Sequence, residues 1–250
     1  MATGVLPLLI GKGTLCSKYL INHNKIYQAK IQLGQKTDTA DAEGEIVEEK
    51  IVPNEIFKNG EAEKILATFV GKQEQVPPMY SAIKVNGKKL YEYARKGQTV
   101  EIQPRQIEIY DIQLMELDNE NKQLQFQVSC SKGTYIRSLC EDIAQRLGTV
   151  GYMCELNRVQ VGDFNISNSV TIEELQENVD ELDKHLISLE DLFENRHAIN
   201  LNNKKLQLFL NGVQLSVQEM DGVYRVYSEN NFVGIATVNK GLLKRDIVVF

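Results

Sequence analysis

The sequence predicts an α+β protein: a largely antiparallel sheet with flanking helices, then a small β-rich second domain. Three observations lead there. Strand-type alternation dominates the chain to about residue 164, with few helices and no strand–helix–strand rhythm of a parallel sheet. An acidic tract over 171–194 then interrupts the pattern, keeping a helical stripe of Ile172, Leu175, Val179 and Leu182. The remainder reads mostly as short strands. The expected organisation is a main domain over 1–170, an acidic helical connector over 171–197 and a β-rich domain over 198–250.

Residues 25–33 put Tyr27, Ala29, Ile31 and Leu33 on one face and Ile26, Gln28, Lys30 and Gln32 on the other, as in a half-buried strand. Residues 37–44, TDTADAEG, are small and acidic and read as a loop, after which 45–52 resumes as a strand up to Pro53. A short helix is expected over 61–69, stopped by Gly71. Segments 81–85 and 88–90 flank Asn86-Gly87, the dipeptide best suited to the positive φ angles of a tight hairpin. Over 123–130, Leu124, Phe126, Val128 and Cys130 alternate with polar residues, a one-faced strand that ends at Ser131-Lys132-Gly133. Ile136, Leu139, Cys140, Ile143, Ala144 and Leu147 then follow helical spacing, with Thr134 as the expected N-cap and Gly148 as the stop. In the last part a helical turn or two is expected over 204–210, and strands over 223–227, 232–238 and 245–250.

Composition narrows the function classes. With 42% apolar and 25% charged residues, the 250-residue chain is composed as a soluble globular protein able to bury its own core. Cys16, Cys130, Cys140 and Cys154 fall at irregular spacings, and none of the three histidines sits at ligand spacing from another His or Cys. Reduced thiols in a cytoplasmic protein are expected, with no disulfide framework and no metal. No run approaches the length of a membrane helix, and the apolar stretch 5–10 has no basic region ahead of it and contains Pro7. Neither a dinucleotide-type glycine motif nor a phosphate-binding P-loop is present, so no cofactor is expected.

The formal charge of −6 argues at first against a polyanionic partner, but its distribution argues for one. Nine acids against Lys184 give 171–194 a net −8, which leaves +2 for the rest of the chain. Five bases against Glu92 give 84–96 a local +4. A basic hairpin on a near-neutral body suits a nucleic acid; a solvated lysine-rich hairpin would carry the same charge.

Three segments place polar residues where regular elements end. Ser131-Lys-Gly-Thr-Tyr-Ile-Arg137 is a strand-to-helix junction that sets Tyr135 and Arg137 at a helix N-terminus, off the apolar stripe. A guanidinium fixed there pairs with a carboxylate or a phosphate, or forms a structural ion pair. Tyr27 lies on the apolar face of its strand, where a core tyrosine would also sit. The extended segment 77–84 leads into the basic hairpin and carries Tyr80 and Lys84, a pair suited to stacking on RNA and neutralising it.

Five stretches taken together are more specific: Ala2-Thr-Gly-Val-Leu-Pro-Leu-Leu-Ile-Gly11, Lys25-Ile-Tyr-Gln-Ala, Leu33-Gly-Gln-Lys-Thr-Asp-Thr-Ala-Asp-Ala-Glu-Gly44, PPMYSAIKVNGKKLYEYARKG over 77–97 and SKGTYIRSL over 131–139. In this order they resemble the bacterial tRNA pseudouridine synthase B (TruB) family, closely over 1–164, with a C-terminal part similar to the family's PUA-type RNA-binding domain. The resemblance implies a pseudouridine-synthase-type sheet and isomerisation of the uridine at position 55, in the T loop of tRNA. It implies that Tyr27 stacks on the target base and takes its proton, that Tyr135 is an active-site tyrosine and that Arg137 pairs with the catalytic aspartate. It further implies that Leu156 lines the uracil pocket. The basic block with Tyr80, Lys84, Lys88 and Lys89, and Lys132 near the junction, is expected to hold the T stem-loop. No cofactor, metal or membrane is implied, and a monomer is expected.

The sequence departs from the family pattern at its start. In the family the ATG-V-L-P run follows a Gly-x-Leu-Asp-Pro segment whose aspartate is the nucleophile, whereas residue 1 here falls after that Asp-Pro. Leu15 is a smaller departure, standing where many relatives carry a lysine. Two expectations follow. One is a synthase written as an N-terminally truncated reading frame, inactive as given; the other is an inactive T-arm-binding protein or tRNA-folding chaperone.

Overall fold

The computed structural model describes residues 2–21, 23–58 and 60–249. They divide into two units: Met1–Pro7 with Ile21–Ser169, and Leu8–Leu20 with Val170–Phe250.

In the first unit the strands are β1 (Ala2–Gly4), β2 (Lys25–Leu33), β3 (Gln35–Thr37), β4 (Ile46–Glu49), β5 (Gly71–Gln75), β6 (Lys84–Val85), β7 (Lys88–Lys89), β8 (Arg105–Asp118), β9 (Gln123–Cys130), β10 (Gly151–Val161) and β11 (Phe164–Asn165). The main sheet runs β1-β10-β2-β9-β8-β5, with β11 paired to β10. Its pairs are antiparallel except β1–β10, so the expected sheet type is the one found.

The alternation in β9 is expressed as burial: Leu124, Phe126, Val128 and Cys130 are all fully enclosed. The helix Ile136–Arg146 lays its buried residues Ile136, Leu139, Cys140, Ile143 and Ala144 into the same cluster, with Ala29, Ile31 and Leu33 of β2. Each large side chain enclosed in this way contributes about 1.5–3 kcal/mol over an exposed one. The helix packs on β10 and β2, and the short helix Glu61–Ala67 covers β8.

The β6–β7 hairpin closes through Asn86 and Gly87 at φ 51° and 81°, the conformation their sequence demands. Thr134 is not the helix cap. Tyr135 takes the N-cap position without a capping side chain, and the Thr134 hydroxyl instead donates to the Ser131 carbonyl at 3.0 Å, tightening the turn before the helix. The strand expected over 45–52 is only Ile46–Glu49, because it pairs with β3 alone and leaves all four of its residues exposed.

In the second unit β12 (Ala198–Asn200), β13 (Leu215–Ser216), β14 (Gly222–Ser228), β15 (Asn231–Asn239) and β16 (Leu242–Val248) form a sheet ordered β12-β14-β15-β16-β13. The helix Asn203–Leu210, capped by the Asn202 side chain, closes its core with Phe209. The acidic tract is helical in pieces: Ile172–Glu177 behind a Thr171–Glu174 capping box, a 3-10 stretch Val179–His185 and the turn Leu189–Leu192. Asn178 breaks the stripe, and Ile172, Val179 and Leu182 end up exposed. Among the described residues no helix is long and apolar enough to cross a membrane.

Candidate active site

Strand β10 aligns the residues of interest. Its Met153 forms a bridge with Asp41, its Leu156 lies opposite Ala29, and its Arg158 lies opposite Tyr27. Residues directly opposite in an antiparallel ladder share a face, so Leu156, Arg158, Ala29 and Tyr27 line one side of the sheet. It is the side on which the Ile136–Arg146 helix packs.

Arg137, in the first turn of that helix, is half-buried and makes three hydrogen bonds. One terminal nitrogen donates to the Asp41 carboxylate at 2.9 Å and to the Thr39 carbonyl at 3.0 Å; the other donates to the Tyr80 carbonyl at 2.7 Å. The planar fork thus ties the acidic loop to the lead-in of the basic hairpin, which a lysine could not do from one point. Asp41 is held from its other side too. Its second oxygen accepts from the Thr39 hydroxyl at 2.6 Å and from the Glu43 N–H at 3.2 Å. The loop itself is docked by Met153 N–H on the Ala40 carbonyl and by the Thr37 hydroxyl on the Asp41 carbonyl.

Tyr135 is positioned through its backbone. The buried Gln75 side chain accepts from its N–H at 2.8 Å and donates to its carbonyl at 3.0 Å. Tyr27 is half-buried against the core. Burial pushes its phenol above the ordinary value, with the Cys130 thiol adding and the Arg158 guanidinium opposing. Cys130 is itself pushed up to about 11 by burial, so it stays a neutral thiol at physiological pH.

In the hairpin Lys84 and Lys88 are exposed, whereas Lys89 is half-buried, 3.3 Å from the Tyr91 hydroxyl. Lys132 is exposed and Tyr80 half-buried. Among the described residues no group of His, Cys, Asp and Glu is arranged to hold a metal ion.

The structure therefore brings Tyr27 and Leu156 onto one sheet face, sets Arg137 on the helix over it, and ties Arg137 to the Tyr80 backbone. Sequence reasoning passed over three residues. Asp41 was one acid among several in TDTADAEG, and nothing in the spacing marked it as the partner of Arg137. Gln75 and Arg158 carry no sequence signal, since their roles arise from contacts 60 residues or more away.

Comparison with known proteins shows the family. The description "TruB family pseudouridylate synthase (N terminal domain)" matches residues 1–136, and "tRNA pseudouridylate synthase B C-terminal domain" matches 137–194. The chain belongs to the TruB family. A tRNA pseudouridine synthase B of Francisella tularensis subsp. novicida is 41% identical to this TruB-family chain over 246 residues, covering 97% of the chain and 80% of the relative. One from Francisella philomiragia subsp. philomiragia is 39% identical over 245 residues, with the same coverage of each. Membership makes the chain an isomerase of the tRNA pseudouridine synthase type. Among solved structures, a crystal structure of a Cbf5-Nop10-Gar1 complex matches with a TM-score of 0.68 at 19% identity, covering 98% of this chain and 72% of that one. A structure of an H/ACA RNP bound to a substrate RNA containing 2'-deoxyuridine matches with a TM-score of 0.64 at 18% identity, covering 100% and 73%. Both share the fold of this TruB-family chain.

Proposed function

We propose that this chain isomerises the T-loop uridine of tRNA to pseudouridine, acting as a cytoplasmic monomer without a metal or organic cofactor. The reaction breaks the N1–C1′ glycosidic bond, turns the uracil and joins C5 to C1′. The C5 proton leaves and N1 gains one, so no oxidant or reductant is consumed. A loop uridine reaches side chains only after it is flipped out of its stack. In this reading Lys84, Lys88, Lys89 and Lys132 neutralise the T-stem phosphates and Tyr80 stacks beside them. Tyr27 stacks on the flipped uracil and takes the C5 proton, with Leu156 as the apolar wall and Tyr135 completing the pocket.

Asp41 receives a holding role. Both of its oxygens accept hydrogen bonds, one from Arg137 and the other from Thr39 and Glu43, which fixes the carboxylate within its loop. The attacking carboxylate is then a different one, steadied by the same guanidinium, as the family's Asp-Pro segment ahead of the Ala2-Thr3-Gly4 run implies. The observation that carries the reading is the alignment on β10, which puts Asp41, Leu156 and the partner of Tyr27 along one strand.

A T-arm RNA carrying 5-tritiated uridine tests it, because tritium is released only when the C5–H bond breaks. We expect T-arm binding with tritium release, and binding without release when the aspartate of the family's Asp-Pro segment is replaced by Asn. Release that survives this replacement would overturn the holding role of Asp41. Absence of T-arm binding would overturn the functional reading.

A further inference from the structure

We propose that Arg158 is a positioning residue for Tyr27: a guanidinium pinned to the residue that follows the first strand, Val5, and set against the phenol across the β2–β10 ladder. The inference rests on the reading above, in which Tyr27 contacts the flipped base, and adds a residue that reading does not use.

Three features build the arrangement. The ladder places Arg158 directly opposite Tyr27, so both side chains rise from the same face. The register then slips between Arg158 and Gln160, which leaves Val159 as the extra residue of a bulge. Bulges of this kind re-aim neighbouring side chains and recur beside active sites. The guanidinium is also anchored away from Tyr27, because its Nε donates to the Val5 carbonyl at 2.8 Å while the Val5 N–H donates to the Arg158 carbonyl at 2.8 Å.

That anchor depends on a glycine. Gly4 has φ +107°, and a Cβ there would meet the Arg158 carbonyl oxygen at 2.2 Å and its nitrogen at 2.6 Å. Only glycine lets β1 approach β10 closely enough to hand the Val5 carbonyl to Arg158. With Nε committed to Val5, the guanidinium also hydrogen-bonds the Tyr27 phenol. The Cys130 thiol on β9 is the other titratable group that acts on the phenol; Lys25 on β2 interacts with Cys130, Arg158 and Lys132, and its ammonium is turned to the Ile21 and His23 carbonyls. Arg158 is thus the cation placed to steady the ring and to draw the phenol toward its ionised form, against the burial that pushes it the other way.

The test reads Tyr27 itself, without turnover. In a chain with ¹³Cζ-labelled tyrosine, the Tyr27 signal is identified by its loss in Tyr27→Phe and titrated. In Arg158→Met the midpoint should move to higher pH, and Arg158→Lys should restore part of the shift, since it keeps the charge without the fork. An unchanged midpoint in a folded Arg158→Met chain would overturn the proposal and leave Arg158 as a brace for β1. Should Arg158→Met not fold, the unmutated chain decides: with ¹⁵N-labelled arginine, guanidinium protons of Arg158 should show nuclear Overhauser contacts to the Tyr27 ring, and their absence overturns it. Failure of the functional reading looks different. There Tyr27→Ala leaves T-arm RNA affinity unchanged while the Arg158 effect on the titration persists, which supports the coupling and removes its use in the reaction.

Discussion

The side chain of Gln75 clasps the backbone of Tyr135 from both sides, accepting from its N–H at 2.8 Å and donating to its carbonyl at 3.0 Å. Gln75 ends an edge strand and is itself buried, so this one amide fixes where the Ile136–Arg146 helix begins. Replacing it with Ala leaves the Tyr135 N–H without its partner, at a cost of about 1–3 kcal/mol, while the Tyr135 carbonyl keeps the Leu139 N–H. Gln75→Ala should lower the urea unfolding free energy by about 1–3 kcal/mol. A loss under about 0.5 kcal/mol would mean that water replaces the clasp at no cost.

Arg137 links three segments, through Asp41, Thr39 and the Tyr80 carbonyl. In the active enzyme the single-turnover rate should fall in the order Arg, Lys, Ala, with Arg137→Ala losing about a hundredfold through misplaced groups. T-arm affinity should change far less, because the partners of the guanidinium are protein oxygens. If affinity collapses while the rate on bound RNA holds, Arg137 is a phosphate clamp.

The two hairpin lysines differ in setting. Lys88 is exposed, whereas Lys89 leans on Tyr91. Replacing both with Ala should weaken T-arm binding and flatten its salt dependence, the slope falling by roughly one for each lost phosphate contact. Most of the change should come from Lys88→Ala alone. A slope identical to the unmutated chain means a solvated hairpin with no part in binding.

Tyr27 and Tyr19 both have phenols raised above the ordinary 10.0, each by burial first; for Tyr19 the hydrogen bond to Asp246 adds to it. A folded-state pKa above the unfolded one means that the unfolded chain ionises first. Their contribution to stability is therefore complete below about pH 10 and is lost as pH rises from there toward the folded values. Urea unfolding between pH 8 and about pH 11 should show this loss, and Tyr27→Phe or Tyr19→Phe should each make the profile flatter. A profile of the same steepness in the Phe variants would contradict the assignment.

Local pattern already determined much of this protein. The apolar–polar alternation of 123–130 and 25–33 identified two central strands, because side chains on a strand alternate between core and solvent. The 3.6-residue spacing from Ile136 identified the helix that carries Arg137, and Asn86-Gly87 identified the hairpin through the φ angles it favours. Five short motifs, each local, also named the family. What remained for the tertiary structure is long-range. Asp41 meets Arg137 across 96 residues, Gln75 meets Tyr135 across 60, and Val5 meets Arg158 across 153. A sequence window shows which element a residue joins but not which distant backbone will pass beside it. The parallel β1–β10 pairing, the bulge after Arg158 and the partner of each buried polar group follow from how the sheet closes, and packing alone decides that.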